Sequence, residues 1–219
     1  MITIVLLILN VGFSLYAMEK PDIKYKYIFH PYSIFHFKQH YRFLSHAFLH
    51  ADYLHLGFNM FALWSFGMTV EKAIMPILAG SFEHPNKLLG SLYYILLYTG
   101  GIYASSITEY FRNKNNQYYT SLGASGAVNA VVFSFILCLP KESIRLVFIP
   151  LPVPAWVFGL LFLGISYFLS RRQRNGQGGM DNIGHEAHFW GAIYGLLFTT
   201  AIGLLNKDVF FSIIERSFK

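Results

Sequence analysis

Six apolar runs divide the 219-residue chain, at about 1–18, 53–70, 88–108, 122–139, 153–169 and 187–205. A helix needs roughly 20 apolar residues to cross a bilayer, so each run is predicted to be one span. Hydrocarbon offers no water to backbone N–H and C=O groups, and only helices or closed barrels satisfy them there. The predicted fold class is therefore an all-α polytopic membrane protein, a bundle of six transmembrane helices. With 54% hydrophobic and 13% charged residues, the composition excludes a soluble globular enzyme, a disordered chain and a nucleic-acid module. The net charge of +6 comes from basic residues scattered between apolar runs, so no nucleic-acid partner is expected. The single cysteine, Cys138, excludes a disulfide framework and a cysteine-built zinc site.

The first run has no Lys or Arg ahead of it and reads as a retained helix, not a signal peptide. The first loop, about 19–52, is long, His-rich and aromatic, with Phe29, Tyr32, Phe35, Phe37, Tyr41 and Phe43. Aromatic rings favour the membrane interface, so this loop is expected to be membrane-embedded. Composition equally admits a small cap outside the membrane. The whole chain, 1–219, is expected to be one membrane domain with no separate soluble domain.

Parity places the starts of helices two, four and six on one membrane face. Polar residues collect at those starts: His55 and Asn59 on helix two, Gly123-Ala124-Ser125-Gly126 on helix four, His185-Glu186 and His188 on helix six. Ionisable residues inside spans are costly and mark functional sites by default. A serine between small residues, or the Gly191/Gly195 pair, ordinarily means close helix packing. A hydroxyl, a potential base and two potential oxyanion donors at one depth are the set that acyl transfer needs.

Nine histidines also raise a metal reading. His36/His40 and His46/His50 have i,i+4 spacing, but no strong third ligand accompanies them. In His185-Glu186-Ala187-His188 the two histidines are three apart, not four as in a zincin helix. No metal and no cofactor are expected.

Tyr41-Arg42-Phe43-Leu44-Ser45-His46-Ala47-Phe48-Leu49-His50, followed by His55-Leu56-Gly57-Phe58-Asn59, resembles the first loop and second helix of rhomboid intramembrane serine proteases. Gly123-Ala124-Ser125-Gly126 resembles their GxSG motif, and Ala187-His188-Phe189-Trp190-Gly191 through Gly195 resembles their AHxxGxxxG helix. The three blocks fall in family order over about 41–205. The resemblance implies a rhomboid-like bundle and a Ser–His dyad. Ser125 would be the nucleophile and His188 the general base and acid. His55, Asn59 and the Ser125 backbone N–H would hold the oxyanion, with Gly123, Gly126, Gly191 and Gly195 in support. His46 and His50 match loop positions that look structural.

Asn129 departs from the pattern, because many family members carry there an aromatic ring stacked on the histidine. Asn129 would either hydrogen-bond His188 or leave the ring to helix packing alone. The implied partners are the lipid bilayer and transmembrane protein substrates; no motif sets an oligomeric state. The implied location is a bacterial inner (plasma) membrane, with the site facing outward and both termini cytoplasmic. Arg171, Arg172 and Arg174 would then lie outside, against the usual bias of cytoplasmic loops toward basic residues. Two other readings compete: an inactive rhomboid-like protein that binds membrane helices, and a small transporter. The span interiors hold almost none of the buried charges that a transport path requires.

The metal-free reading predicts that chelators leave activity unchanged. A loss restored by added zinc, measured on purified protein, would reinstate a metal site.

Overall fold

Polar side chains cap some of the helix starts and tie the helices to one another. The computed structural model describes residues 1–146, 149–174 and 184–218. Helix α1, Ile2–Glu19, buries Thr3, Asn10, Ser14 and Ala17, while Val5, Ile8, Leu9 and Leu15 face outward. This inverts the pattern of a water-soluble helix. Lipid gives apolar side chains no reason to cluster, so small and hydrogen-bonding residues take the interior. Thr3 Oγ1 donates to the Tyr94 hydroxyl at 2.9 Å, and Asn10 Nδ2 donates to the Tyr98 hydroxyl at 3.3 Å.

The long first loop is built from three short helices, α2 (Pro21–Tyr27), α3 (Pro31–Phe37) and α4 (Arg42–Ser45), with a 3₁₀ turn at His46–Phe48. The buried Arg42 guanidinium ties them together. It donates to the carbonyls of Tyr25 at 2.9 Å and Ile28 at 2.8 Å, and to Gln39 Oε1 at 2.7 Å. Tyr25, Phe37 and Tyr41 stay exposed.

Helix α5, Tyr53–Thr69, continues through a wider π turn, Val70–Ile74, into α6, Met75–Leu78. The expected end of the second run at about 70, before the charged pair Glu71-Lys72, is corrected. Glu71 turns inward, and its carboxylate accepts the backbone N–H groups of Ile2 at 2.5 Å and Thr3 at 2.8 Å. These are first-turn donors that α1 itself cannot satisfy, so a charge that looked like a terminator is a cap for another helix.

The next helices are α7 (Lys87–Asn113), α8 (Ser125–Cys138), α9 (Ala155–Arg174), α10 (His185–Leu205) and α11 (Lys207–Ser217). Before α9 lies a short antiparallel hairpin of β1 (Ser143–Leu146) and β2 (Ile149–Pro154). β1 and α11 lie outside the six apolar runs, and β2 overlaps the start of the fifth at Val153 and Pro154. The fold remains all-α. Helix α8 begins at Ser125, not at 122, because Gly123 sits at φ +127°, far from helical backbone.

The count of six spans exceeds what length and apolarity alone support. Among the described residues, three helical stretches are long and apolar enough to cross a bilayer: Ile2–Glu19, Tyr53–Leu78 and His185–Leu205. Helix α8 is apolar but has 14 residues, roughly 21 Å of rise against a hydrocarbon core of about 30 Å. Helix α7 is diluted by Ser, Thr, Gly and Tyr, and α9 ends in Arg-Arg-Gln-Arg.

Helix α8 is short because it is the centre. Residues from Gly126 to Ser134 are buried without interruption, as in a helix enclosed on every side. Glycines on its neighbours let backbones touch. A Cβ on Gly191 or Gly195 of α10 would overlap the α8 backbone at Gly126 or Ala130, and one on Gly101 of α7 would lie 2.8 Å from the Ala130 Cβ. Thr199 Oγ1 donates to Ser134 Oγ at 2.8 Å across the same α8–α10 seam.

Gly195→Ala is expected to lower thermal stability in detergent, since overpacking a close-packed contact costs about 1–3 kcal/mol. Gly12→Ala, where an added Cβ meets nothing within 4 Å, serves as the control and should leave the melting temperature unchanged or slightly raised.

Candidate active site

Ser125 is delivered by a clamped segment. Phe29 of the first loop and Ser121 exchange two backbone hydrogen bonds, at 3.0 and 3.1 Å. Ser121 Oγ donates to Glu109 Oε2 of α7 at 2.8 Å, and the Gly123 N–H donates to the His46 carbonyl at 3.1 Å. Gly123 then turns through its positive φ, where a side chain would be strained, and Ser125 becomes the first residue of α8. Its N–H is one of the donors that a helix start leaves unsatisfied.

His55 lies in the first turn of α5, which Asp52 caps by accepting the His55 N–H at 2.8 Å. The Ala51 N–H donates to His55 Nδ1 at 3.4 Å. A ring nitrogen that accepts carries no proton, so the neutral ring holds its proton on Nε2. That nitrogen faces the serine loop: a Cβ on Gly123 would lie 3.1 Å from it. One turn on, buried Asn59 gives one Nδ2 hydrogen to the His55 carbonyl at 3.0 Å and keeps a second.

His188 arrives through the glycine seam. Gly191 meets Gly126 and Gly195 meets Ala130, so α8 and α10 run parallel. One turn back along α10, His188 falls beside the start of α8. His55, Asn59, Ser125, Asn129 and His188 all line one cavity of about 1220 Å³, walled mostly by apolar side chains of α5, α8 and α9, with Asp52, Glu142 and Arg145 also on its lining. A second, more polar cavity of about 700 Å³ adjoins it. It shares Ser125 and His55 and is lined by Ser105, Ser106, Glu109 and Glu186. The arrangement offers a hydroxyl, an imidazole and three N–H donors between an apolar chamber and a polar one. Among the described residues, no hydrogen bond joins Ser125 Oγ to His188.

The structure brings Ser125, His188, His55, Asn59 and Asn129 together, with Gly123, Gly126, Gly191 and Gly195 at the backbone contacts that allow it. No hydrogen bond links Asn129 to His188 among the described residues. The His188 ring instead packs on Phe162 of α9, with centroids 6.0 Å apart and planes 28° apart. Sequence reasoning missed Phe162, because a phenylalanine in an apolar run carries no motif. It missed Glu109 as the support of Ser121 for the opposite reason: a charge at the edge of a run reads as its end. Glu186 makes a bidentate ion pair with Arg112, fastening the first turn of α10 to the end of α7. His46 Nδ1 donates to the Arg42 carbonyl at 2.9 Å, and His50 Nδ1 pairs with Ser14 Oγ at 2.7 Å.

The model of the Rhomboid domain matches residues 38–204. The chain is similar to RHOMBOID-like protein 12, mitochondrial, of Arabidopsis thaliana, 28% identical over 151 residues that make up 68% of this chain and 42% of that protein. It is similar to Rhomboid protein 1, mitochondrial, of Saccharomyces cerevisiae, 30% identical over 71% of this chain and 40% of the relative. It is also similar to Presenilin-associated rhomboid-like protein, mitochondrial, of Rattus norvegicus, 25% identical over 72% of this chain and 37% of the relative. The matched region spans about two fifths of each of these relatives. All three carry mitochondrial names, and this overturns the expected bacterial plasma membrane.

Burial holds His46 down to about 4 and His50 to about 3, from an ordinary 6.5. Between those values the unfolded chain binds protons that the folded one refuses, so acid favours unfolding. The stability that these two rings contribute is complete above pH 6.5 and is lost as pH falls toward their folded values. Melting temperature in detergent should drop over that range, and His50→Gln should flatten the drop.

Proposed function

The chain belongs to the rhomboid family, and we propose that it is an intramembrane serine endopeptidase that hydrolyses peptide bonds in or beside the transmembrane segments of other membrane proteins. One observation carries this reading. The parallel α8–α10 seam sets His188 beside Ser125 in a cavity that His55 and Asn59 also line. On this reading α7, α8 and α9 complete six spans with α1, α5 and α10, and the site opens toward the face where α8 and α10 begin.

The chemistry follows from the donors and acceptors present. Ser125 Oγ attacks the scissile carbonyl carbon while His188 takes the hydroxyl proton. The carbonyl oxygen becomes an oxyanion and receives hydrogen bonds from His55 Nε2–H, the second Asn59 Nδ2–H and the Ser125 N–H. The C–N bond breaks, and His188 returns its proton to the leaving amine. Water then attacks the acyl ester as His188 takes its proton; the ester bond to Ser125 Oγ breaks, His188 passes that proton to Oγ, and the acid product leaves with both residues restored. The polar cavity beside Ser125 gives that water a place to stand in an otherwise apolar bundle. A regular helix shields its own backbone, so the substrate segment must unwind to present its carbonyl.

The unmade Ser125–His188 hydrogen bond favours one other reading, an inactive relative that binds membrane helices. Catalytic hydrogen bonds in ligand-free sites are often long and tighten only around substrate, so the geometry is compatible with the protease. A fluorophosphonate probe separates the two, because it labels only an activated serine.

Ser125→Ala and His188→Ala should each abolish cleavage of a transmembrane substrate without loss of folding. The double variant should be no worse than either single one. His55→Ala and Asn59→Ala should lose about 10²–10³ in kcat but remain active. Robust cleavage by Ser125→Ala, or losses in His55→Ala and Asn59→Ala that merely track lost thermal stability, would refute these roles.

A further inference from the structure

The His188 ring nitrogens have no hydrogen-bond partner among the described residues. A base of this kind normally needs a third group to fix its orientation, most often a carboxylate. The acid nearest in sequence, Glu186, has both carboxylate oxygens on Arg112. Two rings meet the imidazole instead: His185, edge-on with centroids 6.1 Å apart, and Phe162, near-parallel at 6.0 Å, within the range where aromatic pairs attract. Phe162 is itself braced. Its ring meets Phe133 of α8 at 5.8 Å and Phe158, one turn earlier on α9, at 5.7 Å. Phe133 is fully buried, so the brace reaches the core of the helix that carries Ser125. Helix α9 comes close to α8 at Gly159, where a Cβ would sit 3.2 Å from Ile136 and 3.5 Å from Phe133.

We infer that Phe162 is the positioning residue for the His188 base: its ring, held by Phe133 and Phe158, supplies the orientation that no carboxylate supplies here. The inference rests on the serine-protease reading. Two torsions turn the imidazole, and a flat neighbour on one face restricts both while leaving the ring nitrogens free to take and return a proton. An apolar neighbour also leaves the base without a fixed negative charge. Phe162 lines the apolar cavity as well, so a substrate segment entering there meets the same ring that orients the base.

The test compares Phe162→Leu, Phe162→Met and Phe162→Tyr in the purified full chain. It reads kcat and KM on a transmembrane substrate, the rate of fluorophosphonate labelling at Ser125, and thermal unfolding in detergent. Removing the ring should lower kcat and the labelling rate about tenfold to a hundredfold, the scale of a small misplacement of a reacting group. KM should change less than about twofold, and Phe162→Tyr should rescue both rates. A melting temperature close to the parent's in either Leu or Met variant separates positioning from lost packing. Unchanged kcat and labelling in the ring-less variants, or a raised KM at constant kcat, overturns the role of Phe162 and leaves the protease reading standing. A parent protein that neither cleaves nor labels overturns both.

Discussion

Backbone contact between α8 and the helices beside it is the constraint on which the rest of the structure depends. Gly191 and Gly195 leave no side chain between α10 and α8, Gly101 and Gly126 let α7 approach α8 across only Ala130 and Ser105, and in lipid such closeness replaces the hydrophobic drive that assembles soluble cores. Parallel register along the α8–α10 seam then fixes the depth of His188 relative to Ser125. A shift of one turn would move the imidazole about 5.4 Å along the seam from the Ser125 end of α8. The same closeness encloses α8, which explains how 14 residues serve as the central helix.

Polar residues do structural work throughout this bundle. Glu71 caps α1 from the π turn after α5, Arg42 gathers the first loop, and Glu109 and His46 hold the two ends of the segment leading to Ser125. Each of these polar side chains is buried and is answered by a specific partner. The first loop is therefore part of the site's frame. Its backbone reaches the serine segment directly, through Phe29 and His46.

The two cavities divide the demands of the proposed reaction. An extended stretch of a hydrophobic substrate needs an apolar chamber, while hydrolysis and proton transfer need polar surroundings. Ser125 and His55 border both. The tautomer of His55 follows from the Ala51 N–H on its Nδ1, and it leaves the other nitrogen as a donor toward Gly123.

Much of this was legible in the sequence. Apolar runs locate α1, α5, α7, α8, α9 and α10 because hydrocarbon admits little else than a helix. Ser125, His188, His55 and Asn59 stand out because polar residues at the starts of alternate spans are expensive unless used. Gly191 and Gly195 announce close packing by their spacing. The runs could not say that α5 continues past Glu71, that α8 starts at Ser125, or that the first loop folds into three helices. Each of those is decided by a partner far away in the chain: the N-terminus of α1 for Glu71, the His46 carbonyl for Gly123, the carbonyls of Tyr25 and Ile28 for Arg42. Phe162 is the clearest case. Along the chain it is one phenylalanine among many in an apolar run, and only the approach of α9 at Gly159 lays its ring on His188. Local composition and periodicity determined which segments are helices and which residues can do chemistry. Tertiary packing decided which of those residues meet, because a contact between distant segments depends on register and depth that no single segment encodes.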